Sequence, residues 1–156
     1  MFFCTLSLQV KGQNFIDGTF TYNNVEYSVL TDSSSFVMVY NMSNPPIIQR
    51  KGLERIRLIN HNQLKNSVIL AIKSNLTPQQ ITSIQQEKGL SISFFINSLG
   101  EIYAIEKIDI EYSTCIVPNN IYAIENTLKN IMVTFSDGRP PEAGWISVTI
   151  LGKMFR

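Results

Sequence analysis

The stretch LSISFFINSLGEIYAIEKI, residues 90–108, restricts the fold more than any other part of the chain. Leu90, Ile92, Phe94 and Ile96 recur at every second position, the period of a strand with one buried face. Asn97 to Gly100 supplies a turn. On the return strand either Ile102 and Ala104, or Tyr103 and Ile105, face the core. Around Phe94-Phe95 and Ala104-Ile105 the run is apolar on both sides, so at least part of this hairpin is covered on two faces.

Helical periods flank it. Leu64, Val68, Ile72 and Leu76 step by four and form one apolar stripe ending near Asn75. Thr77-Pro78-Gln79-Gln80 then reopens a helix: Thr77 caps, Pro78 suits the first helical position and Gln80 completes a capping box. Ile81 and Ile84 face inward, and Gly89 is a C-terminal stop. After the hairpin, VPNNIYAIENTLKNIM carries Ile121, Ile124, Leu128 and Ile131 at helical spacing. Pro118 precedes this helix, Asn119 or Asn120 caps it, and Glu125–Lys129 is an i,i+4 pair. The chain closes on a loop from Phe135 to Pro141 and a strand from Trp145 to Phe155, with Ile146, Val148 and Ile150 on one side.

The N-terminal third reads differently. In TFTYNNVEYSVL, two alternating runs flank Asn23-Asn24, residues that tolerate positive φ, so a two-residue hairpin is expected with Phe20 opposite Tyr27 and Tyr22 opposite Val25. Phe36 to Tyr40 is a third short strand, and Pro45-Pro46 interrupts the chain after it. The first residues, MFFCTLSLQVKGQ, are apolar through Val10 and resemble the back half of a secretory signal peptide cleaved near Gly12-Gln13. A buried first strand is the alternative. The expected organisation is a leader over 1–13 and one α+β domain over 14–156: a β-meander at 14–59 and a helix-rich half at 60–156. The sheet is small and mostly antiparallel, with helices mainly on one face.

Composition narrows the function. The 156 residues carry a net charge of +1, and Lys and Arg are scattered, with Arg50, Lys51, Arg55 and Arg57 the densest cluster. That is no electrostatic footprint for nucleic acid. The aromatics Tyr22, Tyr27, Phe36 and Tyr40 lack interleaved basic residues and read as core or sheet face. No stretch approaches the ~20 apolar residues of a membrane span. The two cysteines, Cys4 and Cys115, and the single histidine, His61, show no metal-ligand spacing. If the leader is cleaved, Cys115 is left without an intramolecular partner. No glycine pattern suits a phosphate, and no cofactor is expected. A Cys115/His61 nucleophile or a carboxylate pair, Asp109/Glu111 or Glu101/Glu106, would be needed for catalysis. Solvated charges and a core cysteine explain these residues as well, so no enzyme is expected.

Residues 77–155 resemble the C-terminal domain of the TonB family. EKGLSISFFINSLGEIYAIEKI matches its glycine-then-strand stretch, NNIYAIENTLKNIM sits where its second helix lies, and VTFSDGRPPEAGWISVTILGKMF resembles its closing strand with an apolar-x-Phe tail. The Tyr-Pro pair of that family is replaced by Thr77-Pro78, and its membrane helix and Pro-rich spacer are missing, so coupling to an inner-membrane motor is not implied. The resemblance points instead to small secreted proteins of Bacteroides-type bacteria. It implies a periplasmic or secreted, non-enzymatic protein-interaction domain that accepts an extended peptide beside its last strand. The edge so implied is Trp145, Ile146, Ser147, Val148, Thr149 and Ile150, unless the N-terminal hairpin or a second copy covers it. The competing expectation is a cell-envelope hydrolase or small-ligand-binding protein using Cys115 or a carboxylate cleft.

Overall fold

The computed structural model describes residues 15–31, 35–43, 54–55, 60–111, 114–135 and 143–156. The expected leader and most of the Arg50–Arg57 cluster lie outside them. In chain order the elements are β1 (Gly18–Tyr22), β2 (Val25–Thr31), β3 (Phe36–Asn41), β4 (Glu54–Arg55), α1 (His61–Lys73), α2 (Pro78–Ile84), β5 (Leu90–Asn97), β6 (Ile102–Glu111), α3 (Pro118–Leu128), β7 (Ala143–Ile150) and a terminal 3-10 helix (Gly152–Phe155). The class is α+β. One sheet contains all seven strands in the order β1-β2-β3-β6-β5-β7-β4. Six run antiparallel to their neighbours, and β4 lies parallel to β7 for two residues.

The meander is built by its turn chemistry. Asn23 and Asn24 both take positive φ, 53° and 64°, which matches the twist of a two-residue hairpin. Phe20 therefore stands opposite Tyr27 and Tyr22 opposite Val25, as the alternation requires. β3 then pairs with β6, which joins the meander to the helix-rich half in a single sheet.

One face of this sheet carries the helices. Tyr27, Val29, Val37, Val39, Ile92, Phe94, Ile108 and Val148 form a single apolar cluster with Leu64, Val68, Ile72, Ile84, Ile121, Ile124 and Leu128 from the three helices. Removing side chains of this size from water is the main drive to fold, worth roughly 1.5–3 kcal/mol each. Two bulges in the β5–β6 ladder, between Ser93 and Phe94 and between Phe95 and Ile96, let β6 keep Ile102, Ile105 and Ile108 all in this core.

The helix starts differ in an instructive way. The Thr77 hydroxyl accepts from the Gln80 backbone N–H at 3.2 Å, and the Gln80 side chain accepts from Thr77 N–H at 2.9 Å, a complete capping box. In α3 the expected Asn cap is corrected. Val117 occupies the cap position, Pro118 the first turn, and Asn120 sits at the third helical position with its side-chain oxygen accepting from Val117 N–H at 3.1 Å. Proline pre-sets the helical φ and forces the residue before it to be extended, which fixes the cap at Val117, ahead of both asparagines.

Three other expectations change. Gly89 does not end α2, which stops at Ile84. It opens β5 with φ +123°, and a Cβ there would collide with the Ile150 carbonyl of the adjoining strand. The last strand ends at Ile150 rather than continuing to Phe155. The chain turns into the 3-10 helix so that Phe155 is buried, with Gln85 Nε2 donating to its carbonyl at 3.0 Å. Finally, Glu125 is 3% exposed and faces the core rather than standing out on the helix surface.

Candidate functional site

Strand β7, which contains Trp145 to Ile150, is saturated on one side. It pairs with β5 from Leu90↔Ile150 to Asn97↔Ala143. On its other side β4 pairs with Gly144 and Trp145. Ile146, Val148 and Ile150 point into the helix-covered core, whereas Trp145, Ser147 and Thr149 lie on the opposite face. Ser147, Val148, Thr149 and Ile150 have no strand partner on that second side among the described residues.

The opposite face has a character of its own, and no described helix is part of it. Ser91 Oγ lies 3.1 Å from Ser147 Oγ and 3.3 Å from Thr149 Oγ1, and Ser93 Oγ donates to Ser147 Oγ at 3.1 Å. This hydroxyl ladder runs across β5 and β7. Beside it Lys107 Nζ donates to Asp109 Oδ1 at 2.9 Å, with the two side chains 23% and 20% exposed. Met38 stands opposite Asp109, and Phe36 opposite Glu111.

These groups border a cavity of about 460 Å³ whose lining includes Phe36, Met38, Lys88, Lys107, Asp109 and Thr149, with Ser91 and Leu151 contributing. Lys88 is exposed, and its ammonium lies 5.8 Å from the centre of the Phe36 ring. The volume falls within the range of small-molecule sites, and the mix of a few polar groups with apolar walls is typical of them. Sequence reasoning placed Asp109 among candidate carboxylates but missed Phe36, Met38, Lys88 and Lys107 as neighbours. Phe36 and Met38 on β3 and Lys88 before β5 reach Asp109 only through the β3–β6–β5 register, so no local spacing signals them, whereas Lys107 shares strand and face with Asp109 at i,i+2, a spacing that could have been read.

The catalytic candidates are kept apart or occupied. Asp109 and Glu111 share a face as expected, but Asp109 is held by Lys107, and Glu111 accepts from the Lys88 backbone N–H at 3.0 Å. Glu101 accepts from Asn97 Nδ2 at 2.6 Å in the β5–β6 turn, while Glu106 belongs to β6 itself. His61 is exposed at the first residue of α1. Cys115 precedes α3. Its thiol donates to the Gln80 carbonyl at 3.2 Å, and its N–H donates to Glu87 at 2.9 Å. Burial, then the Glu87 carboxylate, push the thiol up to about 12, so little thiolate forms at neutral pH. Among the described residues no group of three His, Cys, Asp or Glu side chains is placed to hold a metal ion, and no helix is long and apolar enough to cross a membrane.

A second polar cluster lies within the helix-covered core. Glu125 Oε2 accepts from Tyr27 OH at 3.1 Å and from Asn41 Nδ2 at 2.7 Å. Burial raises the Glu125 pKa above the usual carboxylate range, although both hydrogen bonds and Lys129 oppose it. The same burial, together with the carboxylate, raises the Tyr27 hydroxyl. Tyr27 and Asn41 come from the meander and Glu125 from α3, so this cluster joins the two halves of the chain.

No family model matches the chain, and no curated protein matches it. A solved structure does: a crystal structure of a DUF5043 family protein from Bacteroides uniformis, similar over 90% of this chain and 94% of that one, with a TM-score of 0.68 and 16% identity. At that identity the likeness concerns the fold, and its extent exceeds residues 77–155, to which the TonB resemblance is confined.

Proposed function

We propose that this chain is a non-enzymatic protein-interaction domain of the bacterial cell envelope, periplasmic or secreted, which binds a partner segment at the cavity and along the adjoining end of β7. The observation that carries it is the cavity on the helix-free face, because Thr149 belongs both to its rim and to the strand that a partner would follow. The helix-helix-strand-strand-helix-strand order from α1 to β7 is consistent with the TonB resemblance, in which a peptide docks beside the last strand. The apolar leader through Val10 favours export. A non-catalytic role accords with the Lys107–Asp109 ion pair at the cavity and with a thiol held protonated.

A peptide array probed with the full chain tests this role. Bound peptides are expected to lose at least tenfold in affinity to Thr149→Arg, with an unchanged circular dichroism spectrum. No bound peptide, or binding indifferent to Thr149→Arg, would reject it. Location has its own test: fractionation of the native host, with mass spectrometry of the mature N-terminus, should place a shortened chain outside the cytoplasm. A second reading, a small-ligand carrier, is favoured by one observation, the carboxylate of Asp109 in the cavity lining. A small molecule whose binding is lost with Asp109→Asn would support it.

A further inference from the structure

We infer that the cavity on the helix-free face selects an apolar carboxylate, a ligand with a hydrocarbon body and one acid group. This rests on the reading of the cavity as the binding site and names the chemistry it selects. Phe36 and Met38 form an apolar wall on β3, and Leu151, 44% exposed, closes the far side. A hydrocarbon body seated there removes these surfaces from water.

The polar side of the lining is asymmetric. Among the described residues it has two ammonium groups, Lys88 and Lys107, and one carboxylate, Asp109. Asp109 already accepts from Lys107 at 2.9 Å. An ammonium has three donors, so Lys107 keeps donors beyond that bond. Lys88 differs from Lys107. Among the described residues its ammonium makes no hydrogen bond and rests over the Phe36 ring at 5.8 Å. A cation held at the rim by an aromatic face is placed to meet an incoming acid without first breaking an ion pair. Glu111 lies on the same face, but its Oε2 is taken by the Lys88 backbone N–H, and it is absent from the lining. The hydroxyls of Ser91 and Thr149 are bonded to each other and can rotate to donate toward an anion. A charge-assisted bond from Lys88, within a wall otherwise apolar, is the strongest single contact the cavity offers.

An apolar carboxylate has two sources, a free aliphatic acid or the C-terminus of a partner chain ending in an apolar residue. Calorimetric titration of the full chain at low salt separates them, using decanoate, an N-acetylated hexapeptide ending in leucine with a free carboxylate, and the same peptide as its C-terminal amide. The expected result is binding of decanoate or the peptide acid, weakened about tenfold by Lys88→Gln, the effect of losing one charge-assisted contact. Peptide acid binding with the amide silent assigns a chain terminus, and decanoate alone assigns a free acid; both support the inference. Failure of both acids, equal binding of acid and amide, or indifference to Lys88→Gln overturns it. Array peptides bound independently of Lys88 would end this inference and leave the protein-binding role standing. Decanoate binding without any bound peptide would do the reverse. Lys88 is exposed, so its replacement is not expected to disturb folding.

Discussion

The two faces of the sheet follow opposite rules. On the helix-covered face β5 presents Ile92 and Phe94, both 0% exposed, against helices whose own apolar stripes are buried. On the other face the intervening residues of the same strand, Ser91 and Ser93, join a hydroxyl ladder and flank an ion pair beside a cavity. Adjacent residues thus carry different tasks, because side chains alternate across a strand. The first face carries most of the buried core, and the second carries the cavity to which the proposed binding is assigned. The exception is Glu125, an ionisable group set among the apolar residues of the first face and held by Tyr27 and Asn41.

Phe94→Ala should separate the faces most. Loss of a fully buried aromatic costs about 3–5 kcal/mol, measured by urea unfolding, whereas Ser91→Ala one face over should cost under about 0.5 kcal/mol. Equal losses would remove the distinction. Tyr27→Phe comes next. It deletes a donor to a buried carboxylate and leaves that acceptor less satisfied, at about 1–3 kcal/mol.

The pH dependence of Glu125 sharpens the exception. Its folded-state pKa is raised, so the folded protein binds the proton more tightly than the unfolded chain does. The contribution of this group is therefore greatest below the usual carboxylate range and declines as pH rises from the unfolded value through the raised folded one. Glu125→Gln keeps an acceptor for both donors and removes the charge. Its unfolding free energy is expected to lose that decline and to match or exceed the parent's at pH 8, measured by denaturant titration across pH. A variant markedly weaker at pH 8 would show that the charge itself stabilises the core.

The smallest effect belongs to the helix-free face. Lys107→Met removes an ion pair whose side chains remain 23% and 20% exposed, so solvent screens much of it and stability should change by under about 1 kcal/mol. A larger loss would mean that this face, too, is structural. Apart from either face, Cys115 should react with iodoacetamide at pH 8 at least tenfold more slowly than free cysteine, read by mass spectrometry of its peptide.

Much of the local structure is legible in the chain. The Asn23-Asn24 hairpin with its register, the Thr77 capping box and the alternation of Leu90 to Ile96 all depend on residues a few positions apart. Glu125 was misjudged for the opposite reason. Its i,i+4 spacing to Lys129 is a surface pattern, but its partners Tyr27 and Asn41 lie 98 and 84 positions away. The candidate site was legible only in fragments. Asp109 and Thr149 stood out singly, whereas Phe36, Met38 and Lys88 carry no pattern that distinguishes a cavity wall from an ordinary sheet surface.

Residue periodicity, proline, glycine and asparagine were enough to determine the α+β class, most helix and strand positions, and the face of β5 that packs into the helix-covered core, because these follow from bonds and contacts between near neighbours. The folded chain alone decided the strand order, the turn of the tail that buries Phe155, the burial of Glu125 and the assembly of the cavity. Those depend on which distant strands pair and in what register, and pairing is selected by the packing of the whole core rather than by any segment.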